Sequence, residues 1–159
     1  MISRTRGNPP PVTETQELPP QEHNPGAQPR KFVNADVLVR DQGGRVLLLD
    51  DALPGGIVGE HESPWLAAQR YLREGLGLDL PLTRLLVVDH ADDRVTLIFD
   101  AGMLSEAQIE AIRARNSAFC DPGEAGQRMP EAGRPRLAAA CEGLRFGVSR
   151  YLENGEVRG

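Results

Sequence analysis

The run Leu53-Pro54-Gly55-Gly56-Ile57-Val58-Gly59-Glu60-His61-Glu62-Ser63-Pro64-Trp65-Leu66-Ala67-Ala68-Gln69-Arg70-Tyr71-Leu72-Arg73-Glu74-Gly75-Leu76-Gly77-Leu78 decides how this chain is read. Its paired glycines suit a tight turn that needs positive φ. Ser63-Pro64 supplies a helix N-cap followed by proline at the first helical position, and residues 65–76 read as a helix that Gly77 stops. Trp65, Leu66, Leu72 and Leu76 are its expected core side chains. Positions 71, 74 and 75 are spaced i, i+3 and i+4, so they share one helix face, and Arg70 with Glu74 forms an i, i+4 ion pair.

Toward the N-terminus, Val33, Ala35, Val37 and Val39 alternate with Asn34, Asp36 and Arg40, the period of a strand with one buried face. Asp41-Gln42-Gly43-Gly44 is a turn and residues 46–49 are a second, more fully buried strand, so the two make a hairpin. Toward the C-terminus, residues 84–90 and 94–101 form another strand pair around Ala91-Asp92-Asp93. Ser105 and Gln108 have the spacing of a capping box for a short helix. Residues 115–134, rich in Gly and Pro, read as a loop. Residues 135–153 read as a terminal helix with Leu137, Cys141, Leu144, Val148 and Leu152 on one stripe, ended by Asn154-Gly155.

Residues 1–31 hold seven prolines among polar side chains and almost nothing apolar, which predicts a flexible tail of polyproline II character. The division is therefore a tail over 1–31, a domain over 32–155 and a short C-terminal tail over 156–159. A formal charge of −5 excludes a general phosphate-backbone binder, which needs a basic surface. No apolar run is long enough to span a bilayer and no apolar segment follows the first basic residues, so a cytoplasmic location is expected and no membrane partner. Cys120 and Cys141 lack metal-ligand spacing and are read as free thiols, and His61 and His90 have no histidine at ligand spacing.

The quoted run resembles the Nudix box, G-x5-E-x7-R-E-U-x-E-E-x-G-U, where U is bulky aliphatic. Gly56, Glu62, Arg70, Leu72, Glu74, Gly77 and Leu78 match, seven of nine specified positions and without a gap. The flanking elements sit where that fold places them, so the resemblance implies a Nudix-type α/β/α sandwich with a mixed central sheet. It further implies a hydrolase of nucleoside diphosphates linked to another group. In such a site three carboxylates on one helix face hold Mg²⁺ or Mn²⁺, which neutralise the diphosphate and activate water.

Two positions depart from the pattern. Tyr71 and Gly75 stand where the family has glutamates, leaving Glu74 as the one metal-binding candidate on the helix. Tyr71 is expected to pack against the preceding loop. Gly75 is read as an exposed position under relaxed constraint, where glycine costs a helix about 1 kcal/mol against alanine. The resemblance assigns catalytic or scaffold roles to Glu62, Arg70 and Glu74, and substrate contact to Gly55, Gly56 and Arg73. Loop acids that would substitute for the missing carboxylates are Glu60, Glu62, Asp92, Asp93, Glu124 and Glu131. The expectation is a weakly active or non-catalytic domain that needs Mg²⁺ or Mn²⁺ if active and no cofactor otherwise. Its partner is a nucleotide-like molecule or a protein, with a homodimer as a further expectation. The alternative is a divergent pyrophosphohydrolase built on Glu74 and a substitute loop acid.

Overall fold

The computed structural model describes residues 30–158. Most of the proline-rich segment therefore lies outside the described residues. Its last residue, Lys31, is anchored: the ammonium lies 2.7 Å from His90 Nε2 and donates to the Ala91 carbonyl at 3.0 Å.

Strand β1 (Phe32–Arg40) turns back antiparallel into β2 (Val46–Leu49), the hairpin the alternation predicts. A short strand β3 (Gly55–Ile57) pairs antiparallel with the first half of β1, so the paired glycines sit in a strand and not in a turn. Helix α1 (Pro64–Leu76) follows. Then β4 (Arg84–His90) and β5 (Arg94–Met103) pair antiparallel, and β5 runs parallel to β1. Helix α2 (Glu106–Glu110) carries the reciprocal Ser105–Gln108 capping box read from the sequence.

Residues 115–134 are not a plain loop. They contain edge strand β6 (Ser117–Cys120), helix α3 (Pro122–Arg128) and a 3₁₀ turn at Glu131–Gly133. None carries a strong local signal: β6 exists because β2 offers it a free edge, and α3 because Ala125 and Met129 bury into the core. Helix α4 (Arg134–Phe146) is likewise shorter than the stripe suggests. Gly147 adopts φ 69° and caps it, so Val148 and Leu152 leave the helix and the chain continues as β7 (Arg150–Glu153), parallel to β4. Strand β8 (Glu156–Val157) pairs with β7, which carries the domain past residue 155.

The mixed sheet has the order β6-β2-β1-β5-β4-β7-β8, with β3 also on β1. One face packs Val37, Leu47, Phe99 and Leu104 against Leu72 and Leu76 of α1; the other packs Leu38, Leu48, Val87 and Ile98 against Leu137 of α4, with Leu152 of β7 in the same cluster. This is the three-layer α/β/α sandwich. Both faces of β1 are therefore covered, whereas its alternation predicts one. Trp65 and Leu66 are not core: Leu66 is 54% exposed and Trp65 meets Phe99 edge-on at 5.4 Å while remaining partly open. The first turn of α1 overhangs the sheet, and Ala67 and Ala68 take the buried places. Cys120 and Cys141 are free thiols, as expected. Among the described residues no helix is long and apolar enough to cross a membrane.

Candidate functional site

Helix α1 begins and ends as the sequence dictates. The Ser63 hydroxyl accepts from Leu66 N at 3.2 Å, and Gly77 at φ 70° returns its N–H to the Arg73 carbonyl. These caps fix which side chains face the loop before the helix. Gly55 lies opposite Asp36 across the β1–β3 ladder, and a Cβ there would fall 2.4 Å from the Ala35 carbonyl oxygen. With φ 152° it is a position only glycine fills comfortably. Gly56 is glycine for a different reason: its φ is ordinary, but a Cβ would lie 2.5 Å from the Tyr71 ring.

Arg70 organises the charged side of the site. Its guanidinium forks onto Glu62 at 2.8 and 2.9 Å, reaches Glu74 at 3.3 Å and stacks on the Tyr71 ring at 4.4 Å from the centroid. Glu62 also accepts from Gly59 N at 3.1 Å. The Arg70 bond, helped by Gly59, holds the Glu62 carboxyl down to about 2, and the same bond drives the Arg70 pKa upward. Glu62 is thus a brace between loop and helix that stays ionised well below neutral pH.

The face formed by positions 71, 74 and 75 differs from a metal-holding one. Tyr71 donates its hydroxyl to the Ile57 carbonyl at 2.8 Å, the loop packing expected of it. Gly75 is not an idle exposed position. A Cβ there would stand 3.1 Å from Leu49 Cδ1, so the end of β2 packs against the helix at that point. Glu74 remains, exposed and paired with Arg70. Among the described residues no three His, Cys, Asp or Glu side chains converge as a metal site.

A cleft of about 360 Å³ lies beside this face, lined by Asp50, Leu53, Gly55, Tyr71, Glu74 and Gly75 among others. Sequence reasoning missed Asp50. It precedes Asp51, both with positive φ, in the turn after β2, and accepts from Asn116 at 2.9 Å. Its nearness to Glu74 depends on β2 packing on α1, for which the local sequence carries no sign. Arg73 points elsewhere, 3.5 Å from Asp79, and is not among the residues lining the cleft. Of the nominated loop acids, Glu60 and Glu62 border a separate cleft with Ile57 and Pro64. Asp92 and Asp93 lie in the β4–β5 turn, Glu124 on α3 and Glu131 on the 3₁₀ turn, all exposed. His61 is exposed and His90 is engaged by Lys31.

A second polar cluster, also unread in the sequence, gathers around Arg136 of α4. Asp36 accepts from Asn34 at 2.7 Å; burial pushes its carboxyl up to about 7 against the opposing pull of Arg136 and Arg94. Arg136 binds the buried Asp89 at 3.2 Å, and Asp89 also accepts from Gly155 N.

The NUDIX domain model matches residues 30–138. Solved structures share the fold at low identity. A MutT protein from Methanosarcina mazei Go1 gives a TM-score of 0.59 at 17% identity, covering 73% of this chain and 96% of its own. A mutT/nudix family protein from Listeria innocua gives 0.60 at 18%, covering 76% and 98%. An ADP-ribose pyrophosphatase from Streptococcus suis gives 0.56 at 14%, covering 79% and 99%. No curated protein sequence matches. The match over most of the chain, with the helix, its caps and the Glu62–Arg70 brace in place, shows that this chain belongs to the Nudix family.

Proposed function

We propose that this Nudix domain binds a nucleotide-like ligand in the cleft beside α1 and hydrolyses it weakly or not at all. Family membership relates it to hydrolases of nucleoside diphosphates linked to another group, a class that generally uses Mg²⁺ or a similar ion. One observation carries the reading: of the three positions that share the box face, only Glu74 is a carboxylate, and it is paired with Arg70. Magnesium demands near-octahedral oxygen coordination, and a single paired carboxylate is one weak anchor for it. Arg70 is engaged by Glu62 and Glu74, while Arg73 makes only a loose, exposed pair with Asp79 at 3.5 Å. A protein partner at the same cleft is the other form of this reading.

The divergent pyrophosphohydrolase is the second reading, and Asp50 favours it. This residue lines the same cleft as Glu74, so two carboxylates are available there, one from the turn after β2.

The test is phosphate and pyrophosphate release with Mg²⁺ and Mn²⁺ over nucleoside triphosphates, dinucleoside polyphosphates, nucleotide sugars and ADP-ribose. The binding reading expects no turnover by the wild type and detectable nucleotide binding by calorimetry. Metal-dependent turnover that disappears in Glu74→Gln and Asp50→Asn establishes the enzyme instead. Absence of nucleotide binding with and without Mg²⁺ leaves the protein-partner form alone.

A further inference from the structure

The box loop and helix α1 are tied together at both ends by groups that need no ion. At one end Tyr71 donates its hydroxyl to the Ile57 carbonyl across fourteen residues of chain, at 2.8 Å, and its ring lies over the Gly56 backbone. At the other, Glu62 accepts from Gly59 N while gripping Arg70, whose guanidinium stacks back onto Tyr71. The contacts run Ile57, Tyr71, Arg70, Glu62, Gly59 and enclose the loop. On the far side of Tyr71, Gly75 is the seat on which Leu49 packs. Two of the three positions expected to grip cations are therefore occupied in holding β3 and β2 to the helix.

We infer that Tyr71 is a metal-free latch: its hydroxyl supplies the tie between the box loop and the helix, so that the cleft keeps its shape without a divalent cation. Tyr71 acts as a positioning residue. It sets the path of residues 55–57, whose first member lines the cleft. The inference rests on the binding reading above, since a resident ion would make the latch redundant. Gly56 leaves room for the latch, for any side chain at 56 would displace the ring from which it hangs.

The test is hydrogen exchange of the full chain, read at the amides of Val58 and Gly59, in EDTA and in excess Mg²⁺, for the wild type and Tyr71→Phe. Phenylalanine keeps the ring over Gly56 and the Arg70 stack and removes only the hydroxyl. A lost hydrogen bond of ordinary net strength raises exchange roughly twofold to tenfold. The latch predicts that increase at Val58 and Gly59, little change in the β4–β5 pair, and wild-type exchange that is the same in EDTA and Mg²⁺. Two results overturn it: slowing of the wild-type loop by Mg²⁺, which would make a cation the tie, or unchanged exchange in Tyr71→Phe. The wild-type comparison holds even if the variant folds poorly. Hydrolysis by a wild type whose loop is indifferent to Mg²⁺ would remove the non-catalytic reading and leave the latch standing.

Discussion

Replacing Asp36 by asparagine should make the domain more stable at alkaline pH and leave it nearly unchanged in acid. Asp36 sits on β1 with Gly55 across the ladder and Asn34 donating to it on its own strand, and the charges of Arg136 on α4 and Arg94 on β5 act on it. Burial raises its pKa from 3.8 to about 7 even though both arginines and Asn34 pull the other way. In the unfolded chain the proton leaves near 3.8, while the folded chain keeps it to about 7. Between those values only the unfolded state ionises, so the contribution of Asp36 to stability is full below about 4 and falls as pH rises to 7. At about 1.4 kcal/mol for each tenfold change in proton affinity, the whole span is worth about 4 kcal/mol. Asp36 retains some solvent contact, which reduces the expected effect to roughly 2 kcal/mol. Asparagine keeps an oxygen for the Asn34 bond and never ionises. Urea unfolding of both proteins at pH 4.5, 6, 7 and 8.5 isolates the effect, because all other titrating groups cancel in the difference. The reasoning fails if Asp36→Asn gives the same offset at every pH, or if it destabilises the domain at pH 8.5. The second result would mean that the ionised carboxyl is well paired with Arg136.

Gly56→Ala should destabilise by about 1–3 kcal/mol through collision with the Tyr71 ring, and much less in a Tyr71→Ala background, a coupling that a double-mutant cycle reads directly. The Glu62 carboxyl, held down to about 2 by Arg70, should contribute its stabilisation at all pH values above about 4.5 and lose it only as pH falls toward 2. A carbon-detected NMR titration that finds Glu62 protonating above pH 4 would break the brace as described. Leu72→Ala, at a fully buried position between α1 and the sheet, should cost about 2–5 kcal/mol in chemical denaturation without altering the caps of the helix.

The parts of this protein that sequence alone determines are those whose signals are local. Ser63-Pro64 and Gly77 mark the ends of α1 because capping and φ are properties of a few adjacent residues. The β1–β2 hairpin follows from alternation and a glycine turn, and Arg70 and Glu74 meet on one side of the helix by their i, i+4 spacing, with Glu62 in the loop before it. Tertiary structure decided what had no local sign. The apolar spacing through Cys141, Leu144, Val148 and Leu152 continues past Gly147 as if in one helix. The chain ends α4 there because Gly147 is left-handed and β4 offers an edge for Leu152. Gly75 looks idle until Leu49, twenty-six residues earlier, is found packed on it, and Asp36 looks like a solvated strand residue until burial and the charge of Arg136, carried by α4, act on it. Asp50 reaches the cleft of Glu74 only through the docking of β2 on α1. In each case the deciding neighbour is distant in the chain, and composition and periodicity carry no record of which distant surfaces will meet.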